Sequence, residues 1–210
     1  MFDFAKSVNE GNDSWSGQKV LLVADIDLEN AVWTPIGQTG ATQFKGIFDG
    51  QGYTIKNLKV DSSAQTGAHY SSGLFGWLNS ATVKNVKVDK ATVIGNHNVA
   101  VIAGYLETSG CTVSGCEVTN ATVTANHAND DACGDKVGVI VGHAGNAGVK
   151  VENCSASKST VTAGRDAGQL IGAGYNGSVS NCAATDVIVS ATGNCNREGN
   201  INNAIIGRVL

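Results

Sequence analysis

Charged side chains make up only 15% of this 210-residue chain and aromatic ones 6%, and there is a single proline and a single methionine. The 14 Lys and Arg residues, set against 18 acids, form no cluster. Without such a patch there is no electrostatic footprint for a phosphate backbone, and nucleic acid is not an expected partner. No apolar run approaches the about 20 residues needed to cross a bilayer, so membrane insertion is not expected. Nor do a charged start and an apolar core follow Met1, so no secretory leader is read there; an exported form is expected to be a mature domain. Leucine is scarce too, at 9 against 24 Val, 12 Ile and 16 Thr. Branching at Cβ restricts side-chain freedom more in a helix than in a pleated strand, which excludes an α-rich fold. A hydrophobic content of 42% with a net charge of only -4 excludes a disordered chain, and the length fits one domain.

What the chain does contain is repetition. A short apolar run closing on glycine occurs five times: GLFG at 73–76, VIAG at 101–104, VIVG at 139–142, QLIG at 169–172 and AIIG at 204–207. The first four are each followed by a strand-like segment (TVKNVKV from 82, TVSGCEV from 112, KVENCSA from 150, SVSNCAA from 178) and then a third (ATVIG from 91, ATVTA from 121, STVTA from 159, VIVSA from 187). Three short strands per repeat with uneven loops describe the turns of a parallel β-solenoid, here about five to six coils. Superposition gives columns: Leu58, Val86, Cys116, Cys154, Cys182; Ile55, Val83, Val113, Val151, Val179; and Val93, Val123, Val161, Val189. Each is read as an interior ladder with rungs about 4.8 Å apart. Asn57, Asn85, Gly115, Asn153 and Asn181 precede the first column, and Asn exchanging only with Gly marks a left-handed backbone corner. Residues 1–18, including a possible short amphipathic helix over 2–8, are read as an N-terminal cap, and 19–210 as the repeat domain. The last strand carries no capping sequence after it, so a further domain or a partner chain is expected to cover that end.

The segments ADIDL at 24–28, WTPIG at 33–37, FKGIFDGQGYTIKNL at 44–58 and GLFG at 73–76 followed by TVKNVKV resemble those of the GLUG-motif repeat proteins of bacterial surfaces and secreted multidomain proteins. The resemblance implies a right-handed, single-stranded parallel β-helix in an extracellular or cell-surface protein, often an adhesin-like module. It brings no catalytic residues with it, because the motif is a folding motif.

Three of the six cysteines share the interior column, where stacked Cβ atoms about 4.8 Å apart exceed the about 3.5–4.5 Å of a disulfide, so these are read as free thiols. Cys111 receives no assignment, while Cys133 and Cys195 fall in long insertions at one corner and are bridged if those insertions meet. His97 and His127 align, with Asp130, Asp131, Cys133 and Asp135 just beyond. These are zinc- or calcium-type donors, but their spacing matches no recognised site, and the corner reads as an ordinary polar one with no metal and no cofactor. Polysaccharide cleavage needs paired carboxylates on adjacent coils, whereas the outward positions are mostly Thr, Ser, Asn and Lys. No nucleophile can be placed with its base, so no catalytic residue is named.

Recognition is the better-supported class. With Leu74, Ile102, Ile140, Leu170 and Ile205 inward, alternation sends Phe75, Ala103, Val141, Ile171 and Ile206 outward, followed two residues on by Trp77, Tyr105, His143, Ala173 and Arg208. An apolar strip edged by Trp77 and Tyr105 suits a sugar ring or a protein partner; alternatively the rings are packed, or covered by the N-terminal segment. A second candidate is the corner where loops 61–72, 125–136 and 191–202 emerge, with His69, Tyr70, Asp130, Asp131, Arg197 and Glu198 as polar contacts. Regular threonines, Thr122 and Thr124 above Thr160 and Thr162, add an ice-binding alternative. The expectation is a non-enzymatic, secreted or surface adhesin-like module binding a glycan or protein, the alternatives being a carbohydrate-active enzyme or a structural stalk.

Overall fold

The computed structural model describes residues 1–11, 14–65, 70–126, 135–175, 178–191 and 203–210. They form an all-β protein of parallel sheets with one short helix, Phe2–Asn9. Every pairing between named strands is parallel. One sheet stacks Lys19–Leu21, Ile47–Asp49, Thr82–Lys84, Thr112–Ser114, Lys150–Glu152 and Val179–Ser180 in chain order. A second runs Phe75–Leu78, Ala103–Leu106, Val141–Ala144, Ile171–Gly174 and Ile206–Val209. The largest has two arms, one led by Ile26–Asp27 and Thr54–Lys56 and the other by Lys59–Asp61 and Thr92–Gly95, which the long strands Ser155–Ala163 and Ala183–Ala191 join. From Ile47 onward each repeat thus gives strands to these three sheets and returns to the same sheet one rung on, a path consistent with the expected β-helix.

The interior columns follow the register. Val83, Val113, Val151 and Val179 stand in file, as do Val93, Val123, Val161 and Val189. Backbone bonds from Glu117 to Val86, Ser155 to Cys116 and Ala183 to Cys154 hold Val86 and the three thiols in one ladder. The earliest copy is displaced by one strand from the expected alignment. Phe48, not Ile55, is the partner of Val83, whereas Ile55 pairs with Val88 and Leu58 sits at the level of Ala91. The displacement has a local cause: each repeat turns two left-handed corners, and in the earliest copy the Asn-apolar pair stands at the second of them. Asn85, Gly115, Asn153 and Asn181 turn one corner with φ between 51° and 61°, while Asn57 turns the next, with Lys90, Asn120, Lys158 and Asp186. Asn tolerates the left-handed region by bonding locally through its short side chain, so both corners favour it. The same corners cut each expected second strand in two, so the repeat over 82–106 has five strands and not three.

The fifth comes from a three-stranded sheet, His97–Val99, Asp135–Val137 and Arg165–Ala167, which crosses beside the closing glycines. A Cβ on Gly142 would lie 2.5 Å from the carbonyl carbon of Asn98, and one on Gly172 2.1 Å from the nitrogen of Val137. The recurrent final glycine is the space this extra strand needs.

The N-terminal helix lays Ala5 and Val8 on the core, with Phe4 among Trp15, Phe44 and Phe48 at centroid distances of 5.2, 5.8 and 6.1 Å. Phe44 and Phe48 continue to Phe75 at 5.3 and 5.2 Å. Later repeats fill the same interior with Val, Ala, Ile, Leu and Cys. Among the described residues Cys111, Cys116, Cys154 and Cys182 are free thiols, as expected for the three in the ladder; Cys133 and Cys195 lie outside the described residues.

Candidate functional site

Phe75, Ala103, Val141 and Ile171 do not face solvent as alternation suggested; each has 0% exposure within the core cluster. The residues before them, at 101–102, 139–140 and 169–170, are bends, and strand geometry begins only at Ala103, Val141 and Ile171. A two-residue alternation counted across a bend carries no parity, so Leu74 and Phe75 both turn inward. Phe75 is thereby removed from any binding surface.

Two residues on, the expected file is present. Trp77 pairs with Tyr105, Tyr105 with His143, His143 with Ala173 and Ala173 with Arg208. Tyr105 stands edge-on to Trp77 at 4.4 Å between centroids, and His143 stacks on Tyr105 at 4.9 Å with 28° between planes. Trp77 is only 9% exposed, because the loop 38–43 passes over it and places Gly40 against its six-membered ring. Tyr105 and His143 are half-buried. Gly145 leaves room for the phenol, since a Cβ there would approach Tyr105 Cε2 to 2.5 Å. The open part of the platform is therefore Tyr105 and His143, with Trp77 as its buried backing.

Two polar groups border the rings. On one side Glu107 Oε2 accepts from Gln43 Nε2 at 2.6 Å and Asn79 Nδ2 at 3.1 Å, and Asn79 also donates to Gln43 Oε1 at 2.7 Å. On the other, Asp135 lies among His97, Lys136 and Arg165, each at 2.6 Å, and Asp166 accepts from Arg208 at 3.2 Å. Burial alone would raise Asp135; the His97 hydrogen bond and the Lys136 charge outweigh it and hold the carboxyl well below the usual range. Burial lowers His143 to about 4, helped by the nearby Lys136, so the imidazole is neutral at pH 7. Tyr105 is raised, first by burial and then by Glu107. Neutral rings and fixed amides of this kind can stack on and hydrogen-bond a sugar, but they supply no activated nucleophile.

Of the donor-type residues at the corner read as metal-free, His97 and Asp135 meet, and both carboxylate oxygens of Asp135 face cations or imidazole. No group of three or more His, Cys, Asp or Glu suited to a metal occurs among the described residues. His127, Asp130 and Asp131 lie outside them, as do His69, Arg197 and Glu198. Tyr70 is half-buried in a bridge to Thr39, at the start of the loop that covers Trp77. Residues outside the notice of the sequence were Asp166 and Lys136, whose positions depend on the unanticipated three-stranded sheet; the recurrent glycine was the available signal. The threonine file is in register, Thr122 on Thr160 and Thr124 on Thr162, flanked by Thr92, Ile94, Ile188 and Ser190.

No family model matches the sequence, and no curated protein does. Among solved structures the chain is similar to one from Bacteroides ovatus described as a "putative immunoglobulin A1 protease". The TM-score is 0.58 at 23% identity, over 86% of this chain and 57% of that one. The chain thus spans little more than half of that protein, and the likeness is one of fold.

Proposed function

We propose that this chain is a non-enzymatic module of a surface or secreted protein whose parallel sheets wind as a right-handed β-helix, with residues 1–18 closing its first end. In this reading it binds a glycan on the platform of Tyr105 and His143. One observation carries it: two half-buried rings stacked 4.9 Å apart, backed by Trp77 and bordered by the Gln43, Asn79 and Glu107 hydrogen-bonding group. A sugar ring can pack a C–H face on the side of His143 turned from Tyr105 and run along the ring edges, while its hydroxyls take the amide and carboxylate. The motif resemblance supports a surface setting and the B. ovatus likeness supports the fold; that protein's described protease activity is its own.

The test is a glycan array probed with the purified protein and with Tyr105→Ala. Binding that the substitution weakens at least tenfold supports the platform, as expected from a stacking contact of about 1–1.5 kcal/mol together with lost area. Unchanged binding, or release of shortened sugars on incubation, rejects it.

A further inference from the structure

Resting on that glycan reading, we propose that the ligand is an acidic one, a glycan bearing sugar carboxylates, and that Arg208 is the residue selecting it. Arg208 stands in the same file as Trp77, two strands beyond His143 with only the short side chain of Ala173 between them. At about 4.8 Å per strand the Arg208 backbone lies about 10 Å along the file from that of His143, and its side chain is held on Asp166 of the intervening rung.

The charge around the file is uneven in a useful way. Lys136, Arg165 and Arg208 stand against two carboxylates, Asp135 and Asp166, in a chain whose net charge is -4. Both carboxylates are enclosed: Asp135 is 3% exposed and Asp166 0%. The Lys136 and Arg165 side chains are 24% and 19% exposed and turned onto Asp135, whereas that of Arg208 is 46% exposed. What this side of the platform presents to solvent is therefore a guanidinium. Its Nη1 donates to Asp166, which fixes its position, and its fork has further N–H donors of the kind that grip a carboxylate in two parallel bonds. Neutral His143, two strands along the file, adds no competing charge and lets the sugar ring approach the rings without a second desolvated cation.

The probes are two matched pairs that differ only in the carboxylate: 3′-sialyllactose against lactose, and polygalacturonate against its full methyl ester. They separate a terminal acidic sugar from an internal uronic acid chain. Calorimetric titration at low salt is expected to show the acidic member of at least one pair binding about tenfold more tightly, the scale of one charge-assisted hydrogen bond on a partly exposed site. That preference is expected to vanish in Arg208→Gln, to survive in Arg208→Lys in reduced form, and to shrink in 0.5 M salt, while Tyr105→Ala weakens acidic and neutral members alike. Equal affinity within both pairs, or a preference that persists in folded Arg208→Gln, overturns the proposal and leaves the glycan platform standing. If Arg208→Gln fails to fold, the salt series on the unaltered protein decides, since a salt-independent preference is not ionic. Failure of all four probes and of the array removes the platform and this inference with it.

Discussion

The first repeats and the later ones share a register but not a filling. Near the N-terminus the interior is a run of rings, Phe4, Phe44, Phe48 and Phe75, with Trp33 beside them at 1% exposure. From Val83 onward the same columns hold Val, Ala and Cys. A middle rung is closed above and below by its neighbours, so small branched side chains suffice to fill it. At the first rung, where Lys19–Leu21 pairs with Ile47–Asp49, the interior is filled instead by large rings with the helix Phe2–Asn9 laid across them.

Truncation separates the two fillings. Phe48→Ala is expected to cost about 3–5 kcal/mol, the range for a buried ring lost to a cavity. Val151→Ala, in the same column and equally buried, is expected to cost about half as much, near two methylene equivalents plus the void. Urea unfolding of both variants checks this, and equal losses would mean that the aromatic end is no more dependent on its filling than the middle.

A smaller effect distinguishes the closing glycines from glycines in open loops. Gly172→Ala drives a methyl to 2.1 Å from a backbone nitrogen, and is expected to cost about 2–3 kcal/mol or more as the three-stranded sheet is displaced. Gly11, at φ +71° with nothing within 4 Å of a Cβ, meets only backbone strain, so Gly11→Ala is expected to cost about 1–2 kcal/mol. Thermal melting of the two side by side measures the difference between crowding and strain.

Acid should act on the platform before it acts on the rest. His143 titrates near 4 when folded, below its ordinary 6.5, so between those values the unfolded chain binds the proton more readily. Stability is then complete above about pH 6.5, falls as the pH is lowered toward 4 and stops falling from this cause below it. The difference of the two values sets an upper bound of about 3 kcal/mol, and for a half-buried ring about 1–2 kcal/mol is expected. Asp135, held low by His97 and Lys136 against its burial, adds a second loss only below about pH 4. Unfolding free energies from pH 8 to 4 in the unaltered protein and in His143→Gln should differ in slope over that window; identical slopes would place the imidazole in water.

How much of this could be read from residues alone depends on whether a feature repeats in register. Val83, Val113, Val151 and Val179 recur at one position on each rung, and so the column is visible in the sequence. The file of Trp77, Tyr105, His143, Ala173 and Arg208 is visible for the same reason, as a fixed offset from the closing glycine. Its exposure is not, because the cover over Trp77 comes from a loop, 38–43, in a different repeat. Phase was lost at Ile55 because two corners of each repeat look alike, and at Phe75 because a bend interrupts alternation. The sheet carrying Asp135 and Asp166 left only its imprint, the glycines it crowds, since its strands of three residues are too short to show a period.

The thiol ladder gives the smallest effect and bears directly on the later filling. Cys154 Sγ lies 3.7 Å from the Val113 carbonyl and 3.3 Å from that of Glu152, and its hydrogen bond with Cys116, with burial adding to it, pushes the thiol up to about 12. A thiol so placed is a small hydrophobic group with almost no thiolate at pH 8, and reagents that need thiolate should not find it. Cys182, the last rung, is half-buried and also raised, first by its bond with Cys154. Cys116 is lowered by its bond with Cys154 but is 1% exposed. Brief alkylation of the native protein followed by peptide mass mapping should therefore leave Cys116, closed off by burial, and Cys154 unmodified and label Cys182 at most slowly, all three reacting once urea is added. Cys154→Ala is expected to cost only about 1 kcal/mol, because one sulfur's contacts are lost and the neighbouring rungs relax into the space. Rapid labelling of Cys154 in the folded protein would show that the later repeats open between rungs, and would make the aromatic end the more tightly closed of the two.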